Sequence, residues 1–184
     1  MKFFLYIFQL VFFFSFDNSF ASYIDSKPSQ DQESLDIVFY NIDLKVDPKK
    51  KIISGNTIIT FVLYQKVKNI EIDLLKNYTV SGTSINGTSL AFEQKNDKVY
   101  ILKTGLKLFK EHSLEIKYVG KPPVSKSPPW EAGIIWDEDS NGNHWVGIAC
   151  QSKGAHIWFP SKSNPNDKVE GAKIKITVPK PLKV

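Results

Sequence analysis

From Asp36 onward a period of two dominates this chain, and it leaves little room for anything but sheet. In "DIVFYNIDLKVD" the apolar residues Val38, Tyr40, Ile42, Leu44 and Val46 alternate with mostly polar ones, so one face of a strand collects the apolar side chains. The alternation returns in "VKNIEIDLL", where Ile70, Ile72 and Leu74 stand against charge, and again in "DKVYILK" and "HSLEIKYVG". In "IISGNTIITFVLY" both phases are apolar, with Ile58, Val62 and Tyr64 on one and Ile59, Phe61 and Leu63 on the other. That pattern predicts an inner strand covered on both sides.

Turn signals separate these runs. Asp47-Pro48-Lys49-Lys50 places a proline at the second position of a turn, where its fixed φ is favourable. Asn86-Gly87 is the preferred pair for a two-residue hairpin loop. The prolines of "KPPVSKSPP", Lys121 to Pro129, lack the N–H groups that a ladder needs, so this stretch is a loop. After it come "GIIW", the acidic turn "DEDSNGN", then "HWVGIAC" and "KIKITVP". No stretch of about 12 residues carries a helical apolar period; "LKLFKEHS" reads as one short turn at most. The expectation is an all-β chain of roughly nine to eleven strands, arranged as a sandwich or a curved pair of sheets.

The N-terminal segment "MKFFLYIFQLVFFFSFDNSFA" has a different character. Lys2 precedes an apolar run from Phe3 to Phe16, the length of a signal-peptide core and short for a membrane span. Ser19 and Ala21 set small residues three positions and one position before a cut after Ala21. Residues 1–21 are therefore expected to be a signal peptide, and the chain to be exported to the periplasm or the cell exterior. An uncleaved anchor is the competing reading; Gln9 and the brevity of the run weigh against it, so no stable membrane span is expected after cleavage. Ser22 to Leu35 is polar and aperiodic and reads as a flexible leader. Residues 36–184 form the predicted β domain.

Composition narrows the function classes. With 42% hydrophobic and 23% charged residues the chain is globular in type. All 24 basic residues are lysine and the formal net charge is +5. The lack of arginine argues against nucleic acid, which arginine reads bidentately. The lysines also alternate with apolar residues, as in "KIKIT", which places them on solvated strand faces. Cys150 is the only cysteine, so no internal disulfide is expected. Asn77-Tyr78-Thr79 and Asn86-Gly87-Thr88 match the N-glycosylation acceptor pattern, which has meaning only in a eukaryotic secretory route.

Candidate chemistry concentrates between His144 and Pro179. His144, Cys150 and His156 are zinc-ligating types, but they stand six residues apart each, unlike the close ligand pairs of structural zinc, and no fourth ligand is nearby. Cys150 and His156 also have the chemical types of a nucleophile and its base, yet that chemistry further requires an activated thiolate and an oxyanion hole. A lone cysteine more simply acts as a small apolar residue. His112 reads as a solvated turn residue. Trp130, Trp136, Trp145 and Trp158 cluster in the last third; exposed they would form a sugar-stacking platform, and buried they would be core, which is the favoured reading. No catalytic residue and no metal ligand is assigned.

Three pieces in order carry a family resemblance. "YNIDLKVDPKKKIISGNTIITF", "GIIW" before an acidic loop, and "CQSKGAHIWFPSKSNPNDKVEGAKIKITVP" together resemble the N-terminal domain of the aminopeptidase N family, the zinc metallopeptidases that include leukotriene hydrolase. The resemblance runs from Asp36 to about Leu182. It implies a saddle-shaped β-sandwich of curved, largely antiparallel sheets, packed against a helical catalytic domain or subunit that removes N-terminal residues from peptides. It also implies that zinc belongs to that other domain: H-E-x-x-H and G-x-M-E-N are absent from this sequence, and the chemistry needs two histidines one helical turn apart with a glutamate to activate water. The site residue it implies is Gln151, just after the cysteine, which in the family reaches the pocket for the substrate's free amino group. His156 and Trp158 would then support the loop. Two departures are visible. "SKSNPND" lacks the Asp that usually follows the W-F-P triplet, and the sequence stops at Val184, soon after its "KITVP" strand, so the sheet is expected to be incomplete at its C-terminal end with an unpaired edge. The alternative is a stand-alone secreted β-sandwich that binds peptide, glycan or protein.

Overall fold

The computed structural model describes residues 28–102, 105–151, 153–164 and 166–184. The predicted signal peptide, its cleavage site and the first part of the leader lie outside the described residues.

The all-β expectation holds. The elements run α1 (Gln30–Glu33), β1 (Leu35–Asp47), β2 (Ile52–Leu63), β3 (Asn69–Asp73), β4 (Tyr78–Ile85), β5 (Thr88–Ser89), β6 (Phe92–Lys95), β7 (Lys98–Leu102), β8 (Glu111–Gly120), β9 (Gly133–Glu138), β10 (His144–Ala149) and β11 (Gly171–Thr177). They form three open sheets: six strands in the order β11-β1-β2-β8-β4-β5, three in the order β3-β7-β6, and the β9–β10 hairpin. Among the described residues every strand–strand pairing is antiparallel except β1 with β11, which is parallel and joins Phe39 to Gly171 through Lys45 to Thr177.

One contiguous core lies between the six-stranded sheet and the two smaller ones. Ile59 and Phe61 of β2, Leu114 and Ile116 of β8, Ile72 of β3, Val99 and Ile101 of β7 and Ile134 of β9 are all fully buried in it. Burial is one-sided, which corrects the expectation for β2. Its second phase, Ile58 and Val62, is only half-buried and Tyr64 is 49% exposed. The small sheets cover a single face of the large one, so β2 is inner by hydrogen bonding but not by coverage.

The stripe on β1 also differs from a simple alternation. The register shifts between Ile37 and Phe39, so Val38 is an extra residue that the ladder leaves unpaired. Inward residues are Leu35 and Ile37 before the bulge, then Tyr40, Ile42, Leu44 and Val46 after it. Residues 30–35 are not a flexible leader either. Ser29 caps α1 by accepting from the Gln32 amide at 3.2 Å, Gln32 is buried, and Leu35 opens β1 in the core. A four-residue helix is too short to show a period.

The Asn86-Gly87 turn forms as predicted. Ile85 pairs with Thr88, and Asn86 and Gly87 take φ of 51° and 80°, the left-handed pair that matches strand twist. His112 is not a solvated turn residue: it lies buried on β8. Its Nε2 donates to the Lys107 carbonyl at 2.8 Å and its Nδ1 accepts from Asn86 Nδ2 at 3.0 Å, while Asn86 Oδ1 accepts from the Ser113 amide at 2.9 Å. A ring that donates at Nε2 and accepts at Nδ1 is the neutral tautomer.

The segment after β10 is held to the core by buried polar contacts. Lys162 and Asp167, with side chains only 5% and 7% exposed, form an ion pair, and the Lys162 ammonium also donates to the Leu35 carbonyl. The Lys162 amide donates to Tyr40 Oη at 3.0 Å. Burial pushes the Tyr40 phenol up to about 12, so it keeps its proton. Tyr78 Oη donates to the Ile157 carbonyl at 2.9 Å inside the core.

Two outcomes follow for denaturant unfolding. Lys162→Met leaves a carboxylate buried without its counter-ion and is expected to cost about 3–5 kcal/mol. Tyr78→Phe orphans one buried carbonyl and is expected to cost about 1–3 kcal/mol. A loss below about 0.5 kcal/mol in either variant, the level of a neutral surface change, would show that the segment is not anchored this way.

Candidate functional site

The site is built where β10 ends. After Ala149 the chain turns back on itself: the Cys150 carbonyl accepts from the Lys153 amide at 3.2 Å and the Gly154 amide at 2.8 Å. Gln151 sits at the corner of that turn and is exposed. Gly154 has φ of 85° and leads into a 3₁₀ turn, Ala155–Ile157. The Gln151 carboxamide has no hydrogen-bond partner among the described residues, so its carbonyl and its amino group are both free for an outside molecule.

The base of this loop is fixed by residues far away in sequence. Asp73, the last residue of β3, exchanges two backbone hydrogen bonds with Ser161, at 2.8 and 3.0 Å. Its Oδ2 accepts from the Ser163 amide at 2.8 Å and its Oδ1 from Gln32 Nε2 at 3.0 Å. The Leu75 amide donates to the His156 carbonyl at 3.3 Å, and Tyr118 Oη donates to the Trp158 carbonyl at 3.3 Å. Phe159 packs edge-on against Tyr40, with centroids 5.3 Å apart, and against Trp158 at 4.4 Å.

Charge around the base is balanced. Lys98 Nζ bridges Glu71 at 3.2 Å and Asp73 at 3.3 Å. Burial lowers the Lys98 ammonium, but Asp73 and Glu71 outweigh it and hold it above its ordinary value. His156 Nδ1 lies 2.7 Å from Ser163 Oγ. Burial pulls its imidazole below the usual range, against the opposing pull of Asp73 and Asp97. At neutral pH His156 is therefore uncharged, and it braces the loop through Ser163. Trp158 has the same part, packed against the core.

The other sequence candidates do not assemble. His144 is at the tip of the β9–β10 hairpin, with Nδ1 3.6 Å from Glu138 Oε1. Cys150 is just past the other end, about 20 Å away at strand spacing. Even spacing put them on one face but not within reach of one ion. Among the described residues no group of three or more His, Cys, Asp or Glu is placed to hold a metal. His156 spends its Nδ1 on Ser163, so the structure does not pair it with the Cys150 thiol there. The tryptophans divide. Trp136 and Trp158 pack on the core, but Trp130 is 76% and Trp145 53% exposed. The core expectation fails for these two because a two-stranded ribbon has one unburied phase, and because Trp130 rides on the proline-rich loop.

Sequence reading missed Asp73, Ser161 and Ser163, which shape the loop. No local signal marks them, since the Asp73–Ser163 contact spans 90 residues. It also missed a concavity of about 320 Å3 between the β1–β2 turn and the hairpin tip.

Residues 38–184 match the family described as the peptidase M1 N-terminal domain. The fold is similar to an M1 zinc metallopeptidase from Deinococcus radiodurans solved with a Tyr-Ser-Ala substrate, at 24% identity and a TM-score of 0.62, over 79% of this chain and 33% of that one. It is also similar to native yeast leukotriene A4 hydrolase, at 18% identity and a TM-score of 0.63, over 84% of this chain and 26% of that one. Both solved chains are thus matched over only about a third or a quarter of their length. No curated protein sequence matches the chain. With its profile spanning residues 38–184, this chain belongs to the family of peptidase M1 N-terminal domains.

Proposed function

We propose that this chain is the non-catalytic N-terminal β domain of an exported zinc aminopeptidase-like enzyme, and that Gln151 helps to recognise the N-terminus of a peptide substrate. The observation that carries the reading is the free carboxamide of Gln151 on a braced loop, at the position after the cysteine in a chain of this family. A carboxamide oxygen accepts from a substrate ammonium, and its N–H donates to the first carbonyl. Rigid support for such a group matters, because a misplaced donor or acceptor loses most of its discrimination.

Hydrolysis itself is not assigned to these residues. Zinc in such enzymes polarises the scissile carbonyl and activates water. This chain has no H-E-x-x-H, and its described residues hold no ligand cluster that would fit the ion. The metal and the helix that presents it are proposed to come from a catalytic domain or subunit. Export rests on the N-terminal apolar run and the small residues before Ser22.

Two measurements test this. In the full-length native enzyme, Gln151→Ala is expected to lower kcat/KM on free-amino peptides by about 1–3 kcal/mol, or roughly fivefold to 150-fold. An unchanged specificity profile would sink the role of Gln151. Intact mass and N-terminal sequencing of the endogenous exported protein are expected to give Ser22 first and a mass several times that of this chain. A mass equal to residues 22–184 would overturn the fusion to a catalytic domain and favour a module acting alone.

A further inference from the structure

The concavity at the tip of the β9–β10 hairpin takes no part in the function proposed above. It lies about 20 Å along β10 from Gln151. Lys49 and Lys51 of the β1–β2 turn form one wall, and Asp137, Glu138, His144 and Trp145 contribute to the other.

Trp145 gives this space its chemistry. The Cη2–Cζ3 edge of its six-membered ring stands against Gly147, two residues along on the same strand face. A Cβ at Gly147 would stand 2.8 Å from Trp145 Cη2 and 3.0 Å from Cζ3. The ring can come this close to the strand because residue 147 has no side chain. It is nevertheless 53% exposed. The strand therefore fixes this edge of the ring, and the exposed remainder offers a pre-positioned aromatic surface to solvent. An aromatic face is electron-rich. Its natural complement is a rigid ring with polarised C–H groups on one side and polar groups at the rim, which describes a pyranose.

The surrounding polar groups fit the same ligand. Asp137 is the direct cross-strand partner of Trp145, which sets their Cβ atoms about 5 Å apart. Glu138 and His144 form the next pair towards the tip. Two carboxylates face two ammonium groups, so the space favours neither an anion nor a cation. It offers acceptors and donors side by side, and a hydroxyl uses both. An acidic polymer would meet Asp137 and Glu138 at close range, and an aliphatic peptide would leave the four charges without use. We propose that the β9–β10 tip and the β1–β2 turn form a binding cleft for neutral oligosaccharides, with Trp145 as the stacking platform and Asp137 as a hydroxyl acceptor at its edge.

The test is calorimetric titration of the native full-length protein with cellohexaose, chitohexaose, mannohexaose and maltohexaose, and with a heparin hexasaccharide as the anionic probe. Saturable binding of at least one neutral probe is expected. Trp145→Ala is expected to weaken it by about tenfold or more. Gly147→Ala, which lifts the ring without removing it, is expected to weaken it as well, with the unfolding midpoint kept. Trp130→Ala is expected to bind as the unaltered protein does. Failure of all four neutral probes, binding that survives Trp145→Ala, or binding of the heparin fragment alone would each overturn the proposal. None of these outcomes depends on peptidase activity or on Gln151.

Discussion

Asp73 is the point on which the arrangement turns. It ends β3, and from that one position it fixes three pieces that are remote in sequence. Its backbone clasps Ser161, its carboxylate takes Ser163 and Gln32, and Lys98 neutralises it. A half-buried carboxylate is costly unless its oxygens are satisfied. Here they are satisfied by donors from the N-terminal helix, the three-stranded sheet and the loop that carries Gln151. The three-stranded sheet thus serves as the floor of the candidate site as well as the lid of the core.

The loop that carries Gln151 is held in place for a physical reason. Its carbonyls at His156, Ile157 and Trp158 are each met by a donor from another element. Its large side chains Ile157 and Phe159 are buried. At the corner, the Gln151 side chain is exposed and has no hydrogen-bond partner among the described residues. On a braced base, an exposed side chain without a partner leaves only its own rotamers to be ordered by a ligand, which costs little entropy.

Much of the fold was legible in the sequence, and the parts that were not share a cause. Strand positions followed from the period of two, and the β4–β5 turn from Asn86-Gly87. The bulge at Val38, the open outer face of β2 and the burial of His112 were not legible, because each depends on which elements pack where. The same holds for the parallel partnership of β1 and β11. For the candidate site, Gln151 was reachable only through a family likeness. Nothing in its own neighbourhood distinguishes it from any polar turn residue. The exposed Trp145 was misread because large aromatics are more often buried, and only the register with Gly147 and Asp137 shows where the ring lies on the hairpin.

The β1–β11 pairing has a consequence in time. Asp43 and Lys175, joined across it at 2.7 Å, are 132 residues apart. A ribosome adding roughly 5–20 residues per second needs on the order of ten seconds to make that interval. Through it, one edge of the first strand has no partner, although β2 is already at hand on the other side. Such a delay favours chains that are kept apart during synthesis or passage across a membrane, since any neighbouring strand offers the same hydrogen bonds sooner. The order in which this chain emerges is therefore as much a condition of its folding as the contacts it finally makes.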